Sequence, residues 1–92
     1  MTLHDVVELL PLLNEELTIY ALSPWSPASP AITAIEPESG GLPDAARQQA
    51  LEYFIEVFVA REFLDGWLEN LGREATTNER CQRLIQYAQN DA

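Results

Sequence analysis

Few side chains in this sequence are able to do covalent chemistry. Cys81 is the only cysteine and His4 the only histidine. A cysteine nucleophile needs a base within reach and a lowered pKa, whereas Cys81 falls on the apolar side of a predicted helix. We therefore predict a buried, unreactive thiol, a solvated histidine and no catalytic residue.

Carboxylates are the other candidates for chemistry. Glu52, Glu56 and Glu62 lie close together in the sequence, and paired carboxylates serve acid–base catalysis or bind hard metal ions. No aspartate–histidine motif accompanies them, so we predict no metal and no cofactor. Gly40 and Gly41 lack the lysine and the helix of a phosphate-binding loop. The sequence therefore predicts a protein that is not an enzyme.

Charge is the most unusual bulk property of the chain. Fifteen acidic residues stand against five arginines, which gives a formal net charge of −10. Such a surface repels the phosphates of nucleic acids and of anionic membranes, so we predict neither as a direct partner. A basic protein partner fits the charge, as for an immunity or inhibitor protein, while simple solubility is the competing interpretation.

The predicted partner-binding residues combine charge with one aromatic anchor, a pattern typical of protein interfaces. They are Trp25, Glu36, Glu38, Glu52 and Glu56. One alternative is a small-molecule pocket near the proline-rich loop, lined by Trp25, Tyr20 and Tyr53. Another is a structural module that forms a homodimer through an exposed strand edge at residues 31–35.

Length and composition predict one globular domain over residues 1–92, at 47% hydrophobic and 22% charged residues. No apolar run approaches the ~20 residues of a membrane span. The first residues include Asp5 and Glu8 rather than a basic segment, which is not typical of a secretory signal. A single cysteine suits a reducing compartment, so we predict a cytoplasmic location.

The longest apolar run, residues 51–71, organises the predicted fold. As a strand, its odd-numbered residues Tyr53, Ile55 and Val57 share one face, while Phe54 shares the other with glutamates. We predict a central strand over residues 51–59 and a helix from residue 61 to Leu71, ended by Gly72. One long helix over residues 43–71 is the alternative.

Local signals predict the other elements. Thr2 with Asp5, and Thr76 with Glu79, have the spacing of capping boxes at the starts of two helices, residues 3–13 and 77–89. Pro11 should bend or stop the first helix. Strands are predicted over residues 17–22 and 31–35, paired antiparallel around a proline-rich loop, and residues 44–50 favour one or two helical turns.

These elements predict an α+β fold, with a small, mainly antiparallel three-stranded sheet covered on one face by about three helices. The predicted core is apolar at helical or strand spacing. It consists of Val6, Leu10, Ile19, Ile35, Ile55, Val57, Phe63, Leu64, Trp67, Leu68, Leu84 and Ile85.

Short motifs are spread along the whole chain. They are Leu3-x-x-Val6, Trp25 before Ser29-Pro30-Ala31, Leu42-Pro43-x-Ala45, Leu51-x-Tyr53-Phe54, Thr77 with Glu79, Leu84-Ile85-x-Tyr87, and Asn90-Asp91-Ala92. In these motifs the chain resembles a family of small bacterial α+β proteins catalogued only as a domain of unknown function. The resemblance implies a strand followed by a helix across residues 51–71, and it implies no activity. The chain departs from the family pattern in stopping at Ala92, where one or two apolar residues would be expected.

Overall fold

A computed structural model describes residues 1–91 and confirms the α+β fold. Ala92, the last residue of the family motifs, lies outside the described residues. The elements are α1 (Leu3–Leu9), β1 (Thr18–Ala21), β2 (Ala31–Ala34), α2 (Asp44–Gln48), β3 (Glu52–Glu56), α3 (Val57–Leu71) and α4 (Thr77–Asp91).

Both predicted capping boxes are present. The Thr2 hydroxyl accepts from the Asp5 backbone N–H at 3.2 Å, and Asp5 accepts from the Thr2 N–H at 2.9 Å. Thr76 and Glu79 make the same reciprocal pair at 3.1 and 3.0 Å. Each box satisfies two backbone donors that a helix start leaves without partners.

The first helix ends near Pro11, as predicted, and continues as a 3-10 turn over Leu10–Leu12. The guanidinium of Arg61 donates to the carbonyl of Leu10 at 3.0 and 2.8 Å and also to that of Leu13. A charged donor thus satisfies carbonyls at a helix end, where the regular hydrogen-bond ladder has run out.

The sheet is antiparallel, as predicted, but β3 lies at its edge. The strand order is β2-β1-β3, so the central strand is β1, in which every residue is buried. The prediction of a central β3 is wrong. It took the many apolar residues of β3 as a sign that both faces of the strand are buried, which they are not. Glu52 and Tyr53 are exposed, as an edge strand permits.

A β-bulge explains where the apolar side chains of β3 go. Ile19 pairs with Ile55 and Tyr20 pairs with Tyr53, so Phe54 is the extra residue. A bulge interrupts the strict alternation of side chains. Phe54 and Ile55 therefore both join the same core, whereas strict alternation predicted them on opposite faces.

The strand-to-helix transition in the central run occurs earlier than predicted. Glu56 is the last strand residue and Val57 the first helical one. The N–H of Val57 donates to Leu17 at 3.0 Å, just before β1 begins, so beyond it β3 has no partner strand to pair with. The backbone then satisfies its hydrogen bonds as a helix, which Gly72 ends with a φ of 73°. The single long helix is excluded.

The two faces of the sheet carry different cores. On the helix-covered face, residues of α1, α3 and α4 pack with Ile19 and Ala21. On the loop-covered face, Tyr20 packs with Ala46 of α2 and with Leu51. The predicted cover of one face by three helices is confirmed, and the short α2 covers the other.

Most of the predicted core is buried. The buried members are Val6, Leu10, Ile19, Ile55, Val57, Leu64, Leu84 and Ile85, and the half-buried ones are Phe63, Trp67 and Leu68. The prediction that Ile35 belongs to the core is wrong, since its side chain is 58% exposed. β2 ends at Ala34, so Ile35 follows the last sheet pair and has no facing strand to bury it.

Candidate functional site

An open groove of about 430 Å³ lies at one end of the sheet. We call it the acidic groove. Its lining comes from the turn before β1, the end of β2, the end of β3 and the first turn of α3, and consists of Glu15, Glu16, Thr18, Ile35, Glu36, Glu56 and Phe58.

The register of the sheet brings these residues together. Thr18 pairs with Ala34 on one side and with Glu56 on the other. The residues just before Thr18 therefore meet those just after Ala34 and Glu56, because both pairings are antiparallel. Segments that are far apart in the sequence meet at this end of the sheet.

Two apolar side chains in the acidic groove are exposed. Ile35 is 58% exposed and Phe58 45%. Single exposed apolar residues are ordinary, but apolar side chains grouped within a polar rim mark interaction sites. Here the rim is made of glutamates, so the groove offers apolar contact surrounded by negative charge.

Within residues 1–90, no arginine forms an ion pair with a glutamate of the acidic groove. Among residues 1–90, the side-chain ion pairs join Arg47 to Asp44 and Arg73 to Glu79. At the surface each such pair contributes little. The glutamates of the acidic groove take part in neither pair, so their carboxylates can accept from a bound cation.

Burial and the glutamates of the groove raise the pKa of two nearby tyrosines. Burial raises the pKa of Tyr53, and Glu56 and Glu36 raise it further. Burial also raises the pKa of Tyr20, again with a contribution from Glu36 that the nearby Thr18 hydroxyl partly offsets. The rings of the two tyrosines meet edge to face, with centroids 6.4 Å apart. The negative field of the groove thus extends over the loop-covered face.

The buried hydroxyl of Tyr20 has no hydrogen-bond partner of good geometry among the described residues. Its side chain is only 1% exposed. An unpaired hydroxyl in such a place lowers stability. The core of the loop-covered face therefore contains a buried polar group whose hydrogen bonding is incomplete.

The structure divides the predicted partner-binding residues between several places. Glu36 and Glu56 line the acidic groove. Glu52 pairs with Ala21 at the other end of β3, and Glu38 lies exposed in the loop after β2. The five predicted residues do not form one surface.

Trp25 is held against the helix-covered core. Its indole N–H donates to the carbonyl of Ala21 at 3.3 Å, and its ring meets Phe54 edge to face at 4.8 Å. Tyr20 belongs to the core of the opposite face, so these two side chains do not line one pocket as the small-molecule alternative predicted.

Sequence reasoning missed Glu15, Glu16 and Phe58 as groove residues. The strand predicted over residues 51–59 includes Phe58, which lies instead in the first turn of α3. The two adjacent glutamates precede the strand predicted over residues 17–22. The signal that could have found them is the predicted hairpin of β1 and β2, which must bring residues 15–17 beside residues 35–36.

The residues considered for covalent chemistry lie apart from the groove. Cys81 is fully buried, and burial raises the pKa of its thiol to about 11. His4, Asp5 and Glu8 have ligand atoms within 4.8 Å of one another. The Asp5 carboxylate already caps α1, and clusters of this kind are common on surfaces without an ion, so we assign this one no role.

Comparison of the chain with protein-family models, with curated proteins and with solved structures finds no match. The resemblance to a family of small bacterial proteins therefore stays a prediction. None of the helices in residues 1–91 is long and apolar enough to cross a membrane.

Proposed function

We propose that this protein is a non-enzymatic binding module whose acidic groove holds a basic segment of a protein partner. The observation that carries the proposal is the exposure of Ile35 and Phe58 within a rim of glutamates. A matching segment has an apolar side chain that covers these two residues, with arginine or lysine on either side of it.

Charge supports a basic partner over other partners. The chain has a net charge of −10, so its long-range field attracts cations and speeds their association. Apolar contact at the centre of the groove supplies the attraction that survives at high salt, because hydrophobic burial is not screened. An immunity or inhibitor protein that blocks a basic site fits this combination.

Self-association through the acidic groove is disfavoured. Two copies meeting there would bring their glutamate rims together, and like charges in contact repel. The predicted edge at residues 31–35 is also partly covered, since the N–H of Ala31 donates to the carbonyl of Met1 at 2.8 Å and Thr2 forms a bridge with Pro30. We expect a monomer by light scattering at low and at high salt.

The test uses a peptide library in which one apolar residue is flanked by arginine or lysine at varied spacing. We expect the wild-type protein to select basic-flanked peptides over acidic and neutral ones, with an association rate that falls as salt increases. The double variant Glu36→Gln/Glu56→Gln should weaken binding by roughly tenfold, the effect of about 1.4 kcal/mol.

A matched control separates the groove from net charge. Glu62→Gln/Glu69→Gln removes an equal amount of negative charge from exposed positions on α3. It should leave most of the affinity intact. Equal loss in both double variants would show that only overall charge matters. Selection of acidic or neutral peptides, or of none, would overturn the proposal.

A further inference from the structure

A second groove, of about 560 Å³, is built mainly on α4 and shares no lining residue with the acidic groove. We call it the aromatic–amide groove. It contains both tryptophans of the chain and several side-chain amides, and is lined by Trp25, Trp67, Asn78, Glu79, Gln82, Arg83, Ile85, Gln86 and Gln89.

The amides of this groove lie on one face of a rigid helix. Asn78, Gln82, Gln86 and Gln89 are spaced at nearly whole turns of α4, so their side chains follow one stripe. The buried face of the same helix, with Cys81, Leu84 and Ala88, fixes it against the core. The amides are therefore presented in a constant order beside the two indole rings.

Both charged side chains that line this groove already have contacts within the chain. Glu79 accepts from Arg73 at 2.7 Å, and this pair together with the capping box lowers the pKa of Glu79 to about 2. Arg83 lies over the ring of Phe63, 4.9 Å from its centroid, and donates to Gln86 at 3.2 Å. Glu79 is therefore already paired with a cation, and the guanidinium of Arg83 is held by Phe63 and Gln86. The remaining polar groups of the groove are uncharged amides.

The functional groups select among uncharged ligands. A side-chain amide offers both donors and an acceptor, as each hydroxyl group does. Adjacent sugar hydroxyls can therefore satisfy these amides completely, and the apolar C–H face of a sugar ring packs on an indole. A polyproline peptide offers acceptors only, so it makes no hydrogen bond to the amide oxygens, whereas a hydroxyl group can donate to them.

We propose that the aromatic–amide groove binds an uncharged oligosaccharide, with its rings against Trp25 and Trp67 and its hydroxyls on the amides of α4. The inference does not depend on the acidic groove or its partner. It adds a second binding site to the same chain, with a ligand of different chemistry.

Tryptophan fluorescence tests this inference directly, since both fluorophores line the groove. The full chain is titrated with maltotriose, cellotriose, xylotriose and N-acetylated chitotriose, and with a polyproline peptide. We expect a saturable change in emission with at least one trisaccharide and none with the peptide. Trp25→Phe and Trp67→Phe each leave one reporter, and both should still respond.

Gln82→Met tests the contribution of the amides, because it keeps the length of the side chain and its preference for a helix. It should weaken trisaccharide binding by roughly tenfold, which corresponds to the loss of one good hydrogen bond. Gln48→Met, at an exposed position on α2, is the control and should bind as the wild-type protein does.

Three outcomes would overturn the oligosaccharide site. The first is the absence of any response to the four trisaccharides, as judged both by fluorescence and by the side-chain amide signals of Gln82 in NMR spectra. The second is binding of the polyproline peptide instead. The third is trisaccharide binding that Gln82→Met and Gln48→Met leave equally strong, because such binding would lie elsewhere on the protein.

Discussion

The two faces of the sheet are covered by very different amounts of structure. Three helices pack over Ile19 and Ala21 on the helix-covered face, whereas Tyr20, between them in the sequence, is covered by the five-residue α2 and its neighbouring loop. Stabilisation follows the apolar area removed from water. We therefore expect the helix-covered face to supply most of the free energy of unfolding.

The two proposed binding sites lie in differently covered parts of the molecule. The acidic groove lies beside the weakly covered face, where burial, and in addition Glu36, raises the pKa of both Tyr20 and Tyr53. The opposite face holds α4 rigid and so preorganises the aromatic–amide groove, which reduces the entropy lost on binding.

Thiol labelling should show the largest contrast between the two faces. Cys81 is fully buried, and its raised pKa of about 11 further suppresses the reactive thiolate. We expect native Cys81 to react with a disulfide reagent at least about 10³-fold more slowly than in the unfolded chain, because exposure requires global unfolding.

A cysteine placed on the loop-covered face should react faster. Ala46 is also fully buried, so Ala46→Cys in a Cys81→Ala background tests whether α2 opens locally. We expect it to be labelled at least about tenfold faster than Cys81. Equal rates for the two thiols would mean that both faces open only when the whole chain unfolds.

Adjacent residues of the bulge provide the next contrast. Phe54 is buried in the helix-covered core, whereas Tyr53 is 42% exposed. Phe54→Ala should lower the free energy of unfolding by about 3–5 kcal/mol. Tyr53→Ala should lower it by about 1 kcal/mol, mainly through the lost edge-to-face contact with Tyr20. Similar costs in urea unfolding would contradict the placement of the two side chains.

Tyr20→Phe should stabilise the protein. It removes a buried hydroxyl that has no hydrogen-bond partner of good geometry among the described residues while keeping the ring, so we expect the free energy of unfolding to rise by about 1 kcal/mol. A fall of that size, measured by urea unfolding at neutral pH, would show that the hydroxyl has a partner.

The same variant makes a prediction at alkaline pH. The pKa of Tyr20 is raised in the folded protein, so the folded state retains a proton that the unfolded state loses near pH 10. The stabilisation is complete below about pH 10 and is lost as the pH rises above it. Between about pH 9 and pH 11, Tyr20→Phe should therefore lose less stability than the wild-type protein.

The smallest effect concerns the end of α2. Ala50 has a φ of 58°, a left-handed conformation that favours glycine. Ala50→Gly should raise the free energy of unfolding by about 0.5 kcal/mol, after the entropy that glycine loses on folding is subtracted. Ala45→Gly, in the regular part of the same helix, should instead lower it by about 0.5–1 kcal/mol. Thermal unfolding that gave both variants the same sign would contradict the assigned backbone.

The sequence determined the features that depend on residues a few positions apart. The capping boxes at Thr2 and Thr76, the helix end at Gly72, the stop at Pro11 and the hairpin of β1 and β2 were all predicted. Each is a hydrogen bond, or a backbone preference, within a short stretch of chain. The charge that supports a basic partner was also visible in the composition.

Only the tertiary structure decided how distant segments pair. The end of β3 at Glu56 depends on where β1 begins, and the exposure of Ile35 depends on where β2 stops. The acidic groove follows from the same register, since it joins Glu15 to Phe58, which lie far apart in the sequence. Periodicity records which face of an element is apolar, but the partner that covers that face is set by contacts between segments far apart in the chain.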